Sequence, residues 1–275
     1  MKHLMIWKRI SAIFIFIWVL ALNVAWAERI ETGFLERGIT LDGVSYRYQV
    51  YVPASYTQGK RYPVILFLHG AGEWGKDGML QTQVGLGPAI RQDRKRFQFI
   101  VVFPQARRNH LWTGQMATLA LKALDKTIEE FNGDPERLYL TGISLGGHGT
   151  WYVATRAPEK FAAIVPISGF VTIMRPDLPA KRKALLLKMN PLAESPDPYT
   201  AVVSQISKMA VWIFHGSADA RVVPDESRRM FQALKASGVT AKYTEYKGVA
   251  HNAWDKAYSE PDLMPWLLSH LRPQQ

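Results

Sequence analysis

Leu138-Tyr139-Leu140-Thr141-Gly142-Ile143-Ser144-Leu145-Gly146-Gly147-His148-Gly149 opens as a short apolar run suited to a buried strand. It passes through Gly-x-Ser-x-Gly and into a segment of helical character. Strand, sharp turn, serine and helix, in that order, make a nucleophile elbow. A side chain at Gly142 or Gly146 would collide with the adjoining strand or helix, and the serine backbone sits in a strained turn. The turn leaves the Ser144 hydroxyl proud of the sheet with a helix N-terminus behind it, which aims the Leu145 N–H at an oxyanion. The plainer reading is a glycine-rich strand-to-helix turn with an incidental serine. The rest of the chain decides between the two.

Working outward, Val64 to Leu68 is a continuous apolar run, as a central parallel strand should be. It feeds into His69-Gly70-Ala71-Gly72-Glu73-Trp74-Gly75. Backbone N–H groups of such a loop lie at the carboxyl end of the strand, where open α/β sheets bind ligands. Phe99 to Phe103 repeats the pattern and stops at Pro104. Val44 to Val52 alternates, which predicts a half-buried edge strand preceded by the turn Asp42-Gly43. Met116, Ala120, Leu124, Ile128 and Phe131 recur at helical spacing. Ala162 to Ile167, Val211 to Phe214 and Ala241 to Tyr246 predict further strands, with a helix over Asp225–Ala236 and another over Pro265–Leu271. Strands alternating with helices predict an α/β domain over residues 28–275, built on a mostly parallel, doubly wound sheet. Residues 170–209 hold five prolines and are the least regular. They read either as a small cap inserted over the site, with a helical stretch at Lys181–Met189, or as a surface excursion.

The first 27 residues stand apart. Lys2, Lys8 and Arg9 precede the apolar run Ile10–Leu22, and Ala25-Trp26-Ala27 has small-x-small form. This predicts a signal peptide cleaved after Ala27, a periplasmic or secreted mature chain, and no stable membrane anchor; an uncleaved N-terminal anchor is the alternative. The chain has no cysteine, which excludes thiolate nucleophiles and thiolate metal sites. Its formal charge of +11 falls to +8 without the three basic residues of the signal. The basic clusters are scattered and not interleaved with aromatic residues, so no nucleic-acid partner is expected.

An elbow serine needs a base, and the base needs an orienting acid. Asp219 follows one strand and His251 follows the next, so both belong at the same carboxyl end of the sheet as Ser144. The order serine, acid, histidine is that of an elbow enzyme. In this reading Ser144 attacks, His251 carries the proton and Asp219 holds the imidazole. The Leu145 N–H supplies one oxyanion donor and the Ala71 N–H the second, with Gly72 as the other choice. Asp225 follows the same strand as Asp219, but behind Pro224 it suits a helix N-terminus. His69 and His215 read as loop braces, and His148 as structural or as touching the site. Glu73 binds substrate or closes its loop. Trp74, Trp112 and Trp254 line a substrate groove or simply pack. No His and carboxylate cluster has metal-ligand spacing, so no metal is expected.

At Leu68–Glu73, Gly142–Gly147, Phe214–Asp219 with Val223-Pro224, and His251-Asn252-Ala253-Trp254-Asp255, the chain resembles the α/β-hydrolase superfamily. More narrowly it is similar to a secreted carboxylesterase group that includes polyhydroxybutyrate depolymerase-like, feruloyl-esterase-like and "predicted peptidase" members. The resemblance runs from about Val44 to Leu271. It implies cofactor-free hydrolysis of small-molecule or polymer-borne esters through an acyl-serine. A serine peptidase or amidase on the same three residues is the alternative, and a non-catalytic binding protein on the same fold is a third. Residues 170–209 are longer and more basic than the group usually carries there.

Overall fold

The computed structural model describes residues 31–172, 177–206 and 208–272; the expected signal segment, residues 1–27, lies outside them. The strands are β1 (Gly33–Leu41), β2 (Val44–Val52), β3 (Tyr62–Leu68), β4 (Ile100–Pro104), β5 (Gly133–Ile143), β6 (Ala163–Ile167), β7 (Ala210–Gly216) and β8 (Ala241–Tyr246). The helices are α1 (Leu86–Gln92), α2 (Gly114–Glu130), α3 (Leu145–Arg156), α4 (Ala180–Lys188), α5 (Pro198–Ile206), α6 (Asp225–Ala236), α7 (Trp254–Ala257) and α8 (Leu263–Leu268). One sheet takes all eight strands in the order β1-β2-β4-β3-β5-β6-β7-β8. The pairs β1–β2 and β2–β4 are antiparallel, and every later pair is parallel. This is the α/β-hydrolase fold that the motifs implied.

The sheet divides the core into two layers. Val64, Leu66 and Leu68 of β3 point to one face together with Leu138 and Leu140 of β5. Ile65 and Phe67 point to the other with Tyr139 and Ile143. Both faces are covered, so β3, β4 and β6 are apolar throughout and read as runs rather than alternations. The first layer is closed by α2, α3, α5 and α6 through Leu119, Trp151, Val202 and Met230. The second is closed by α1 and α8 through Ile90 and Leu267. Each fully buried side chain of this kind contributes about 1.5–3 kcal/mol.

Two expectations need correction. The strand Val44–Val52 is not an edge: β1 pairs along its whole length and takes the edge position. In β1 the inward run Leu35, Arg37, Ile39 is interrupted by Arg37, whose guanidinium pairs with Glu130 at 2.7 Å and lies 5.5 Å from the Phe131 ring. That pairing lets a cation occupy an inward position and hides the alternation. The Asp42-Gly43 turn joins β1 to β2 with φ of 52° and 76°, the double positive φ of a tight hairpin.

The second correction concerns residues 170–209, which do not form one irregular excursion. The last part is α5, and its Val202, Val203 and Ile206 are buried in the first core layer. It is the regular crossover helix between β6 and β7. Pro198 sits at its start, where a missing N–H costs nothing, so the proline that suggested irregularity opens the helix instead. The rest of the connection, over the described residues 168–172 and 177–197, carries α4. The start of this connection is tied down by the buried Glu226 carboxylate, which accepts from Val171 N–H (2.7 Å), Thr172 N–H (3.0 Å), the Thr172 hydroxyl and the Tyr199 hydroxyl (3.0 Å). Asn190 folds back and donates to Val171 O and Thr172 O, both at 2.8 Å.

Candidate active site

Ser144 stands between β5 and α3 with φ 54° and ψ −113°, a conformation that costs a non-glycine residue about 1–3 kcal/mol. Its neighbours explain why the turn holds. A Cβ on Gly142 would lie 2.2 Å from Gly146 O, and one on Gly146 would lie 1.8 Å from Leu68 O. The helix start is thereby pressed against both its own strand and the end of β3. Ser144 N–H donates to Ile167 O at 2.9 Å, which fastens the turn to β6.

The loops after β7 and β8 bring the other two expected residues to this point. The Ser144 hydroxyl donates to His251 Nε2 at 2.8 Å, and His251 Nδ1 donates to Asp219 Oδ2 at 2.7 Å. Asp219 is buried yet fully occupied: Arg221 N–H (2.8 Å) and Val222 N–H (3.0 Å) donate to Oδ1, and His215 Nε2 lies 3.2 Å from Oδ2. Burial works to raise the Asp219 pKa, but the hydrogen bonds from His215, His251 and Val222 outweigh it and hold the carboxyl well below the usual range. A carboxylate fixed in this way keeps the imidazole in the tautomer that can accept a proton at Nε2. Asp225 lies apart, at the first residue of α6, paired with Arg229 at 2.7 Å.

Leu145 opens α3 and Ala71 opens a short 3₁₀ turn, Ala71–Glu73. Among the described residues neither N–H has a hydrogen-bond acceptor. Ser144, His251, Ala71 and Gly72 share the wall of a cavity of about 530 Å³. Val84, Ile143 and Leu178 make its apolar part, and Glu73 and Arg221 its charged part. Burial pushes the Glu73 carboxyl up, against backbone N–H groups of Gly70 and Glu73 that pull it down.

The three tryptophans separate. Trp254 is in the cavity wall, its ring 5.2 Å from His251 and edge-on to it. Trp112 is not: it is wholly buried, its indole N–H donates to His69 O at 3.0 Å, and its ring packs edge-on to His69 at 4.9 Å. Trp74 also lies outside the wall, donating to His110 O at 2.9 Å and packing against the first core layer. Both brace the Leu68–Gly75 loop instead of lining a groove. Their spacing along the chain carries no signal of this, because the partner of each is a backbone carbonyl. His69 completes the brace, accepting from Ala106 N–H at 3.0 Å and facing Gly70 O at 2.6 Å; burial lowers its pKa to about 4, so it is neutral. His215 braces as expected, through Ser227 Oγ at 2.7 Å and Val222 O at 3.0 Å. His148 is buried on the α3 side, stacked on Phe170 at 4.5 Å. Arg221 and Leu178 join the wall without a motif of their own; only the position of Arg221, two residues past Asp219, offers a signal. Gln105 carries no such signal, and it holds the loop through Glu73 O (3.2 Å), Asp77 (3.2 Å) and Gly78 N–H (2.8 Å).

Known proteins resemble this chain in sequence and in fold. An uncharacterized secreted protein of Arthroderma benhamiae is 27% identical over 232 residues, 80% of this chain and 24% of its own length. A rice protein (Oryza sativa subsp. japonica) named "Probable isoprenylcysteine alpha-carbonyl methylesterase" is 25% identical over 240 residues, 74% of this chain and 54% of its own. The chain thus spans about a quarter and about half of these two relatives. A thermostable esterase of known structure superposes with a TM-score of 0.71 at 27% identity, covering 87% of this chain and 63% of that one. Residues 107–273, from the end of β4 through Asp219 and His251 to the last helix, match the prolyl oligopeptidase family; the chain therefore belongs to that family of hydrolases, on an α/β-hydrolase fold.

Proposed function

We propose that the chain is an exported serine hydrolase that cleaves carboxylic esters through an acyl-serine intermediate. The observation that carries this is the continuous row Ser144 Oγ, His251 Nε2, His251 Nδ1, Asp219 Oδ2, with links of 2.8 and 2.7 Å. In the first half-reaction Ser144 Oγ bonds to the carbonyl carbon while its proton passes to His251 Nε2. The carbonyl oxygen becomes an oxyanion facing the Leu145 and Ala71 N–H groups. Collapse breaks the carbon–oxygen ester bond, and the departing alkoxide takes the proton from His251. Water repeats the sequence and releases the acid. Each oxyanion donor is worth about 3 kcal/mol of barrier.

Esters are favoured as substrates because the rice relative and the solved neighbour are both named as esterases. Export is supported by the charged, apolar and small-x-small order of residues 1–27 and by a relative named as secreted. The reacting partner in this reading is a small or polymer-borne ester, with no nucleic acid and no lasting membrane anchor. A second reading, peptide or amide cleavage on the same residues, is favoured by the family itself, which is named for a peptidase.

Two assays test this. A fluorophosphonate should label the wild-type chain at pH 7–8 and leave Ser144→Ala unlabelled; an unlabelled wild type would favour a binding protein. p-Nitrophenyl acetate should be hydrolysed faster than an aminoacyl p-nitroanilide, and the reverse order would favour the peptidase. Activity of Ser144→Ala above about a thousandth of wild type would point to another nucleophile.

A further inference from the structure

Two charged side chains share the cavity wall with Ser144 and His251, and they arrive from opposite flanks. Glu73 follows β3, which pairs with one side of β5; Arg221 follows β7, which lies beyond β6 on the other side. The strand order therefore puts Glu73 on one flank of Ser144 and Arg221, an exposed residue of the same wall, on the other. Glu73 is partly buried beside the nucleophile: a Cβ built on Gly70 would lie 3.1 Å from Glu73 Oε2 and 3.6 Å from the Ser144 Cβ. The Arg221 backbone is fixed by its N–H bond to Asp219, 2.8 Å long. Its guanidinium has no ion pair among the described residues, whereas the nearby Arg228 and Arg229 are paired with Glu245 and Asp225.

A negative group on a bound ester is repelled from the Glu73 flank and drawn to the Arg221 flank. The attraction gains strength where the cavity wall displaces water. A guanidinium offers a carboxylate two parallel donors, a fit that a lysine would not give. We propose that Arg221 is a specificity-determining residue that receives a carboxylate carried by the substrate, so that esters bearing a carboxylate a few bonds from the scissile carbonyl, such as half-esters of dicarboxylic acids, are preferred. This rests on the hydrolase reading of Ser144, and it names the substrate class of that site.

The test reads binding, so it does not depend on turnover. Ser144→Ala is titrated with monomethyl succinate and with methyl butyrate, a neutral ester of similar size, followed by NMR. The succinate half-ester should bind at least tenfold tighter, the preference should vanish in Ser144→Ala/Arg221→Gln, and Arg221→Lys should retain part of it. Raising the salt from 20 to 500 mM should shrink it. Equal binding of the two esters to Ser144→Ala, or an undiminished preference in a folded Arg221→Gln variant, overturns the proposal. Arginine-dependent binding of the half-ester by Ser144→Ala, together with a wild type that hydrolyses neither ester, supports the Arg221 assignment and overturns only the ester-cleaving reading of Ser144.

Discussion

His215 and His251 meet at a single oxygen: both ring nitrogens reach Asp219 Oδ2, at 3.2 and 2.7 Å. The outer histidine is thus a positioning residue for the inner one. Its loss removes one donor from a buried carboxylate, which raises the Asp219 pKa and loosens the His251 ring. We expect His215→Phe to lower kcat/KM about tenfold and to bring protonation of Asp219 into the acid limb of its pH profile. In wild type the depressed Asp219 carboxyl is charged throughout pH 4–9, so that limb does not arise from Asp219. A variant with unchanged kcat/KM from pH 4 to 9 would show that His215 only fills space.

The elbow glycines are held by backbone contact. Gly146→Ala places a methyl 1.8 Å from Leu68 O, and neither atom belongs to a flexible side chain. The variant should fail to accumulate as folded protein, whereas Gly72→Ala, whose Cβ would meet nothing within 4 Å, should fold normally. Soluble yield and circular dichroism of the two variants decide this.

Trp112 lies behind the loop that carries Ala71 and holds its first residue, His69. Trp112→Phe leaves the buried His69 carbonyl without its donor, at a cost of about 1–3 kcal/mol. Denaturant unfolding should show that loss. Because the same loop carries Ala71, kcat should fall more than KM rises.

Two imidazoles couple stability to pH. His69 and His148 are wholly buried, and burial lowers each pKa to about 4 from 6.5. The folded state binds their protons less readily than the unfolded chain does. Their neutral forms therefore stabilise the fold fully above pH 6.5, and that contribution drains away as the pH falls toward 4. It is on the order of 3 kcal/mol for each histidine. Urea midpoints measured from pH 7.5 to 4 should drop accordingly, and His148→Gln should flatten the dependence.

Glu226 makes a fourth structural test. Its carboxylate takes two backbone N–H groups and two hydroxyls, from Val171, Thr172 and Tyr199. Glu226→Ala strands all four donors and should destabilise the chain by roughly 3 kcal/mol. Protease cleavage between Phe170 and Asp197 should quicken before global unfolding begins.

Legibility followed chemistry of short range. The strand runs of β3 and β7, the elbow, and the placement of Asp219 and His251 just past strands were all readable, because each depends on residues adjacent in the chain. β1 was hidden by Arg37, whose inward place depends on Glu130 and Phe131, some ninety residues away. Seven-residue α1 is too short to show a period, and its Gly87 and Pro88 are poor helix formers. The proline-rich setting of α5 concealed a helix that packing against the core sustains. At the site, Trp74 and Trp112 resembled groove residues because their backbone partners leave no mark in the sequence. Arg221 is not legible, because a lone arginine on a loop has the same sequence signature as any solvated cation.

The stapled neck beneath residues 170–197 has an evolutionary corollary. Asn190 closes the stretch on Val171 and Thr172, and Glu226 locks those two to α6, so entry and exit meet at one fixed gate. Whatever lengthens, shortens or recolours the chain beyond that gate leaves β6, β7 and the serine elbow in register. Such a joint lets the described residues 177–189 differ in length or character without disturbing the sheet or the turn at Ser144.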